Sequence, residues 1–438
     1  MSKNKAKLKL TITPDRTLAY HRGGSMRYLA CTVKTPQVNQ EVKPEQHLNL
    51  ALVIDASGSM QGYPLQAARD TALELVKMLH PNDVLSVVSF ADDFITHLSR
   101  KKMDEQGKWE AEREILRIEV RGCTDLAGGW FEGARQLTHA MDDDTSRRNH
   151  LILLSDGHAN RGITNPDELA THAGEMRERG LYTSTVGIGE GYSITQLQVL
   201  AEAGGGRMHD AQHPHEIAEV VLAELGEVRS TFASDIRLVL DGPNNTSVDI
   251  LDSYPLQRED TKIRALLGSL PSESERTVIW RIMLPKGEPG ETIDLTARCS
   301  WTPVGSDEIH ELKAQTVEFK LARSSENSKQ ERDQKVSFMV AQRWHAQILR
   351  EAMNLNRIGR YREASDFVES QLKHFKRYCQ GIRGTTRLVR ELQDLTHRVN
   401  YDFDERSRKE VQLYANKMSR NEKDFRIQER MSYSKYLK

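Results

Sequence analysis

Between residues 48 and 226 short apolar runs alternate with longer stretches whose apolar residues recur every three or four positions. The runs are Leu48–Asp55, Val84–Phe90, His150–Ser155 and Leu181–Ile188, with a weaker one at Gly206–Asp210. The intervening stretches, Pro64–Leu79, Leu126–Met141, Pro166–Arg179 and Ser193–Ala203, carry the helical period. Continuous apolar strands joined by amphipathic crossovers predict an α/β fold, a doubly wound and mostly parallel sheet covered on both faces.

From Phe232 to Leu321 the helical period gives way to short alternating segments, Ile236–Leu240, Ser247–Leu251, Thr277–Leu284, Ile293–Trp301 and Thr316–Leu321, separated by Gly, Pro, Asn and Ser. This spacing predicts an antiparallel β-sandwich. Lys7–Thr13 and Ser25–Lys34 have the same character, and so few strands are marginal alone. They are therefore expected to pair with the later strands, with the α/β domain inserted between them. Arg323–Lys329 reads as a polar linker, and Gln330–Asn354, Tyr361–Tyr378, Arg383–Asn400 and Glu405–Tyr433 read as helices. The expected organisation is residues 1–45 and 229–322 for the sandwich, 46–228 for the α/β domain and 330–438 for a helical module. A chain of 438 residues has room for about three such units.

Composition adds one division. The net charge is −1, yet 26 of the 62 Lys and Arg but only 16 of the 63 Asp and Glu lie from Arg323 onward, leaving this end at +10 and the rest at −11. Leu48–Ile54 is the longest uncharged apolar stretch, too short to span a bilayer, and Met1–Leu10 has no apolar core of a secretory leader. The sequence thus reads as a cytoplasmic protein without membrane association. Cys31, Cys123, Cys299 and Cys379 are isolated and read as ordinary buried thiols, neither a disulfide framework nor a zinc site.

The chemistry-bearing residues cluster at strand ends. Asp55-Ala-Ser57-Gly-Ser59 closes the first α/β strand, Gly122-Cys-Thr124-Asp125 precedes a helix, and Leu154-Ser-Asp156-Gly157 ends another core strand. The carboxyl ends of such strands form the crevice where ligands bind in open α/β sheets. Two carboxylates and three hydroxyls make an all-oxygen set suited to a hard cation, Mg²⁺ or Mn²⁺, completed by water. Three neutral donors would leave the ion electrophilic and open to a carboxylate from another molecule.

D-x-S-x-S, a loop Thr and Ser-Asp-Gly, in that order over residues 48–226, resemble the metal-ion-dependent adhesion site (MIDAS) of von Willebrand factor A (VWA) domains. The resemblance implies that Ser57, Ser59 and Thr124 ligate the metal directly or nearly so, and that Asp55 and Asp156 act directly or through water. Cys123 departs from the commoner Gly-Gly-Thr and receives no ligand role. The resemblance implies a non-enzymatic scaffold or adaptor that binds a protein partner through an Asp or Glu, with AAA+ ATPases and stress or defence systems among such proteins' associates.

Other readings are weaker. No phosphate-binding glycine loop or serine-hydrolase elbow occurs. A hydrolase using Asp156 and His158 lacks a nucleophile or second metal set, and the bland reading of His158 is a solvated loop histidine. His209, His213 and His215 would need a helix that Pro214 opposes. The basic end alternates Arg with Glu and spaces its aromatics as a core does, favouring packed helices and a charge-steered protein partner over nucleic acid.

Overall fold

The computed structural model describes residues 7–37, 47–141, 147–156, 160–189, 192–211, 213, 216–259, 262–304, 306 and 308–420. Three strands open the chain: β1 (Lys9–Pro14), β2 (Leu18–Tyr20) and β3 (Ser25–Lys34). The α/β domain follows with β4 (Leu48–Asp55), α1 (Tyr63–Met78), β5 (Val84–Phe90), β6 (Phe94–Lys102), α2 (Glu105–Ile115), α3 (Leu126–Met141), β7 (Arg148–Ser155), α4 (Pro166–Glu178), β8 (Leu181–Ile188), α5 (Ile194–Ala203), β9 (Gly205–Ala211) and α6 (Ile217–Ser230). Strands then resume as β10 (Thr231–Asp241), β11 (Ser247–Ile250), β12 (Leu256–Glu259), β13 (Lys262–Pro271), β14 (Glu275–Leu284), β15 (Thr292–Pro303), β16 (His310–Glu311) and β17 (Gln315–Ala322). The helices α7 (Ser324–Lys329), α8 (Gln334–Arg357), α9 (Tyr361–Cys379), α10 (Thr386–Arg398) and α11 (Glu405–Arg420) complete the described chain.

The central domain is a six-stranded sheet in the order β6-β5-β4-β7-β8-β9, parallel except for β6. β4, β5, β7 and β8 are buried at every position because helices cover both faces. The sequence pattern showed no element between Phe90 and Leu126, where β6 and α2 lie. β6 is an edge strand carrying Thr96, His97, Ser99, Arg100 and Lys101, and α2 buries only Gly107, Ala111 and Ile115, so neither produces an apolar run.

The first strands of the chain join the later ones in two sheets, β1-β3-β14-β11 and β12-β13-β10-β15-β17-β2, whose facing sides share the core of Leu29, Cys31, Val33, Trp280, Leu295 and Phe319. The alternate residues of β3 and β14, Tyr28, Ala30 and Ile279, face the other way and share a second core with α8 to α11. The helices thus form a third layer on the sandwich. The segment expected to be a linker is the short helix α7, and behind it the Gln330 side chain pins β2 by accepting from Leu18 N–H and donating to Leu18 C=O, each at 2.8 Å. α11 also touches the α/β domain: Lys409 Nζ donates to Gly189 C=O at 3.2 Å and lies 3.0 Å from the centre of the Tyr192 ring, and Asn416 donates to Gln198 at 2.7 Å.

Asp83 clasps the two ends of the inserted domain. Fully buried, it accepts from Leu48 N–H at the start of β4 (2.8 Å) and from His80 N–H (2.7 Å), and pairs with Arg229 in the last turn of α6. Replacing Asp83 by Ala is expected to lower stability by about 2–3 kcal/mol, since it strands buried donors that a charged acceptor now satisfies. Denaturant melts check this.

Candidate metal centre

β4 and β7 are neighbours, and the chain leaves β4 toward β5 on one side and returns to β7 on the other. Asp55 at the end of β4 and Asp156 just beyond β7 therefore flank the switch point of the sheet. The strand ends fold into loops because each carries Ser, Gly or Asp where the apolar run stops.

Hydrogen bonds tie these loops together. Asp55 accepts from Ser57 N–H at 2.8 Å with one oxygen and from the Ser155 hydroxyl at 2.6 Å with the other. The Ser57 and Ser59 hydroxyls lie 3.1 Å apart, and Ser59 donates to Asp156 at 2.7 Å. Gly58 N–H donates to Gly122 C=O at 3.0 Å, drawing in the loop that carries Thr124. Thr124, itself buried, is held by Asn160, whose side-chain oxygen accepts from Thr124 N–H and whose N–H donates to Thr124 C=O, both at 3.2 Å. All three loops named from the sequence thus meet at one edge. Ser155 and Asn160 were not singled out there; Ser155 stands inside the Ser-Asp-Gly motif, whereas nothing marks Asn160 except its place four residues after Asp156.

Burial raises the pKa of Asp55 against the hydrogen bonds from Ser155 and Ser57. Burial likewise pushes Asp156 up to about 6, with the Asp55 charge adding to it and the Ser59 bond opposing. Two adjacent carboxylates among neutral hydroxyls, each disfavoured in its charged form by burial, form a donor set that a hard divalent cation fits.

One expectation changes. Cys123 is exposed, unlike the other three cysteines. Its backbone does not enter the left-handed region, so a side chain is tolerated and points outward, whereas a Cβ on Gly122 would lie 1.7 Å from an Asp92 carboxylate oxygen. His209 stands on β9, 2.7 Å from Glu224, so the helical spacing weighed for the histidine group is absent there. His158 and His215 lie outside the described residues.

This sheet, with its crossover helices and its switch point between β4 and β7, is a VWA-like α/β fold accompanied by antiparallel sheets and C-terminal helices. Residues 49–221 match the sequence model of the von Willebrand factor type A domain. The chain is 24% identical over 257 residues to the uncharacterized protein sll0103 of Synechocystis, an alignment covering 56% of this chain and 59% of that one. The chain spans less than two thirds of the length of such curated relatives. Among solved structures, a von Willebrand factor type A protein from Catenulispora acidiphila superposes with a TM-score of 0.68 at 16% identity, over 90% of this chain and 91% of that one. The ArnB paralog VWA2 from Sulfolobus acidocaldarius gives 0.57 at 17% identity, over 95% and 99%. Both likenesses extend beyond the VWA domain and concern the fold. No helix among the described residues is long and apolar enough to cross a membrane.

Proposed function

We propose that this protein is a cytoplasmic scaffold or adaptor whose VWA domain binds a protein partner through a divalent metal, Mg²⁺ or Mn²⁺. The observation that carries the reading is the hydrogen-bonded set of Asp55, Ser57, Ser59 and Asp156 at the switch point, with two carboxylates that burial disfavours in their charged form. With Thr124, these side chains would hold the ion directly or through water. The ion supplies a local positive charge with an open position, to which the partner offers Asp or Glu. VWA domains commonly mediate protein–protein contacts, and an AAA+ ATPase or a component of a stress or defence system is the partner class that the resemblance favours. No residue here is given a catalytic role.

The test is affinity capture from lysate with and without Mg²⁺, read by mass spectrometry. Partner binding is expected with Mg²⁺ or Mn²⁺ and is expected to disappear in EDTA and in folded Ser57→Ala or Thr124→Ala variants. Full binding in EDTA would sink the reading.

The Asp156 carboxyl gives a pH signature. Its pKa rises from 3.8 to about 6, so within that window the native state keeps a proton that the unfolded chain has released. Raising the pH through the window therefore lowers the stability of the metal-free protein. A divalent ion favours the carboxylate and offsets this loss. The rise in melting midpoint on adding Mg²⁺ is expected to be larger above pH 6 than below it; thermal melts with Mg²⁺ and EDTA check this.

A further inference from the structure

At the edge of the VWA sheet opposite the carboxylates, β7, β9 and α6 meet β13 and β14 of the sandwich around a polar cavity of about 30 Å³. That is about twice the space one water molecule needs and is enough for one halide ion. Its charged lining is Arg148, Arg207, Arg276, Glu224 and Glu227. Guanidinium groups remain protonated at physiological pH, so the lining carries one positive charge in excess. His150 adjoins it, and burial favours its neutral form.

Both carboxylates are engaged. Glu224 accepts from the Ser184 hydroxyl at 2.5 Å and lies 2.7 Å from His209 Nε2, and Glu227 pairs with Arg207. Arg148 is placed differently. It is 7% exposed, and its named contacts are all neutral: Nη1 donates to the Ser234 hydroxyl at 3.1 Å, Nη2 to the Ser269 hydroxyl at 2.8 Å, and the guanidinium lies 4.6 Å from the centre of the Tyr182 ring. Its Nε is buried and donates to nothing among the described residues. Glu224 acts on it only as a Coulombic neighbour. A permanent charge removed from water without a counter-charge in contact is costly, and an ion from solvent can supply that counter-charge.

We propose that this cavity is a binding site for a monovalent inorganic anion, chloride in ordinary solution, which sits against Arg148 and balances the charge at the seam between the VWA domain and the sandwich. The site is independent of the metal centre, which lies at the other end of the same strands.

Crystals of the full chain soaked in sodium bromide test the proposal without any substitution. An anomalous bromide peak beside the Arg148 guanidinium is expected; water alone in the cavity overturns the proposal. In solution, the melting midpoint at fixed ionic strength is expected to be higher in sodium chloride than in sodium gluconate, whose anion is too large to enter, by on the order of 3 °C. Arg148→Met should abolish the difference. A difference that survives in that variant places the anion elsewhere and also overturns the proposal. Should Arg148→Met fail to fold, Ser269→Ala, which removes one of the hydroxyls holding the guanidinium, should shrink the difference, and an unchanged difference counts against the site.

Discussion

An Asp252→Ala variant is expected to lose about 4 kcal/mol of stability and to release the helical layer from the sandwich. Asp252 follows β11 and is buried; one oxygen accepts from Ile279 N–H on β14 at 2.6 Å and the other from Arg343 Nε on α8 at 2.8 Å. Arg343, also buried, donates onward to Met418 C=O on α11. One ion pair thus joins the β-sheet to two helices. Burial pushes the Asp252 carboxyl above its ordinary value even with Arg343 beside it, so desolvation outweighs the attraction between the two groups. The pair therefore contributes less as net stability than as a penalty for any arrangement that separates them. Removing the carboxylate alone leaves a buried guanidinium without its partner. The double variant Asp252→Leu with Arg343→Met is expected to recover most of the loss. Denaturant midpoints read the energies, and hydrogen exchange in α8 and α11 reads the release.

The second large effect is on metal binding. Asp156→Ala is expected to weaken Mn²⁺ binding by ~100-fold or more, the upper end of what even outer-shell changes produce. The substitution removes one of two carboxylates and frees the Ser59 hydroxyl from its 2.7 Å bond. Calorimetric titration with Mn²⁺ gives the affinity, and an unaltered value would remove Asp156 from the donor set. Cys123→Gly provides the contrast: the thiol points to solvent and holds nothing in place, so affinity should not change.

Much of this was readable from residue order. The strands that carry the candidate metal centre are buried on both faces, so their apolar runs are unbroken, and the candidate residues stand where those runs stop. What remained hidden depends on packing between distant segments. β6 is concealed by its edge position, and Asn160 by the fact that only the folded loop shows it gripping Thr124. The docking of the helices was equally concealed, because Tyr28, Ala30 and Ile279 occupy the face of an alternating strand that usually meets water. A strand with both faces covered and one with a single covered face differ by only these few residues.

The turn between β13 and β14 bears on how the architecture could be rebuilt. Thr35, just past β3, donates through its hydroxyl to Pro271 C=O at 2.7 Å, Glu273 N–H donates to Pro36 C=O at 3.2 Å, and Ser272 N–H donates to Ser230 C=O at 2.8 Å. The same few residues therefore grip the chain where it leaves the sandwich and where it returns. The VWA domain is a guest on a host whose attachment points are already neighbours. A short flexible bridge from Pro36 to Thr231 should leave the host strands in register, and a different recognition domain with adjacent termini could be seated in the same socket.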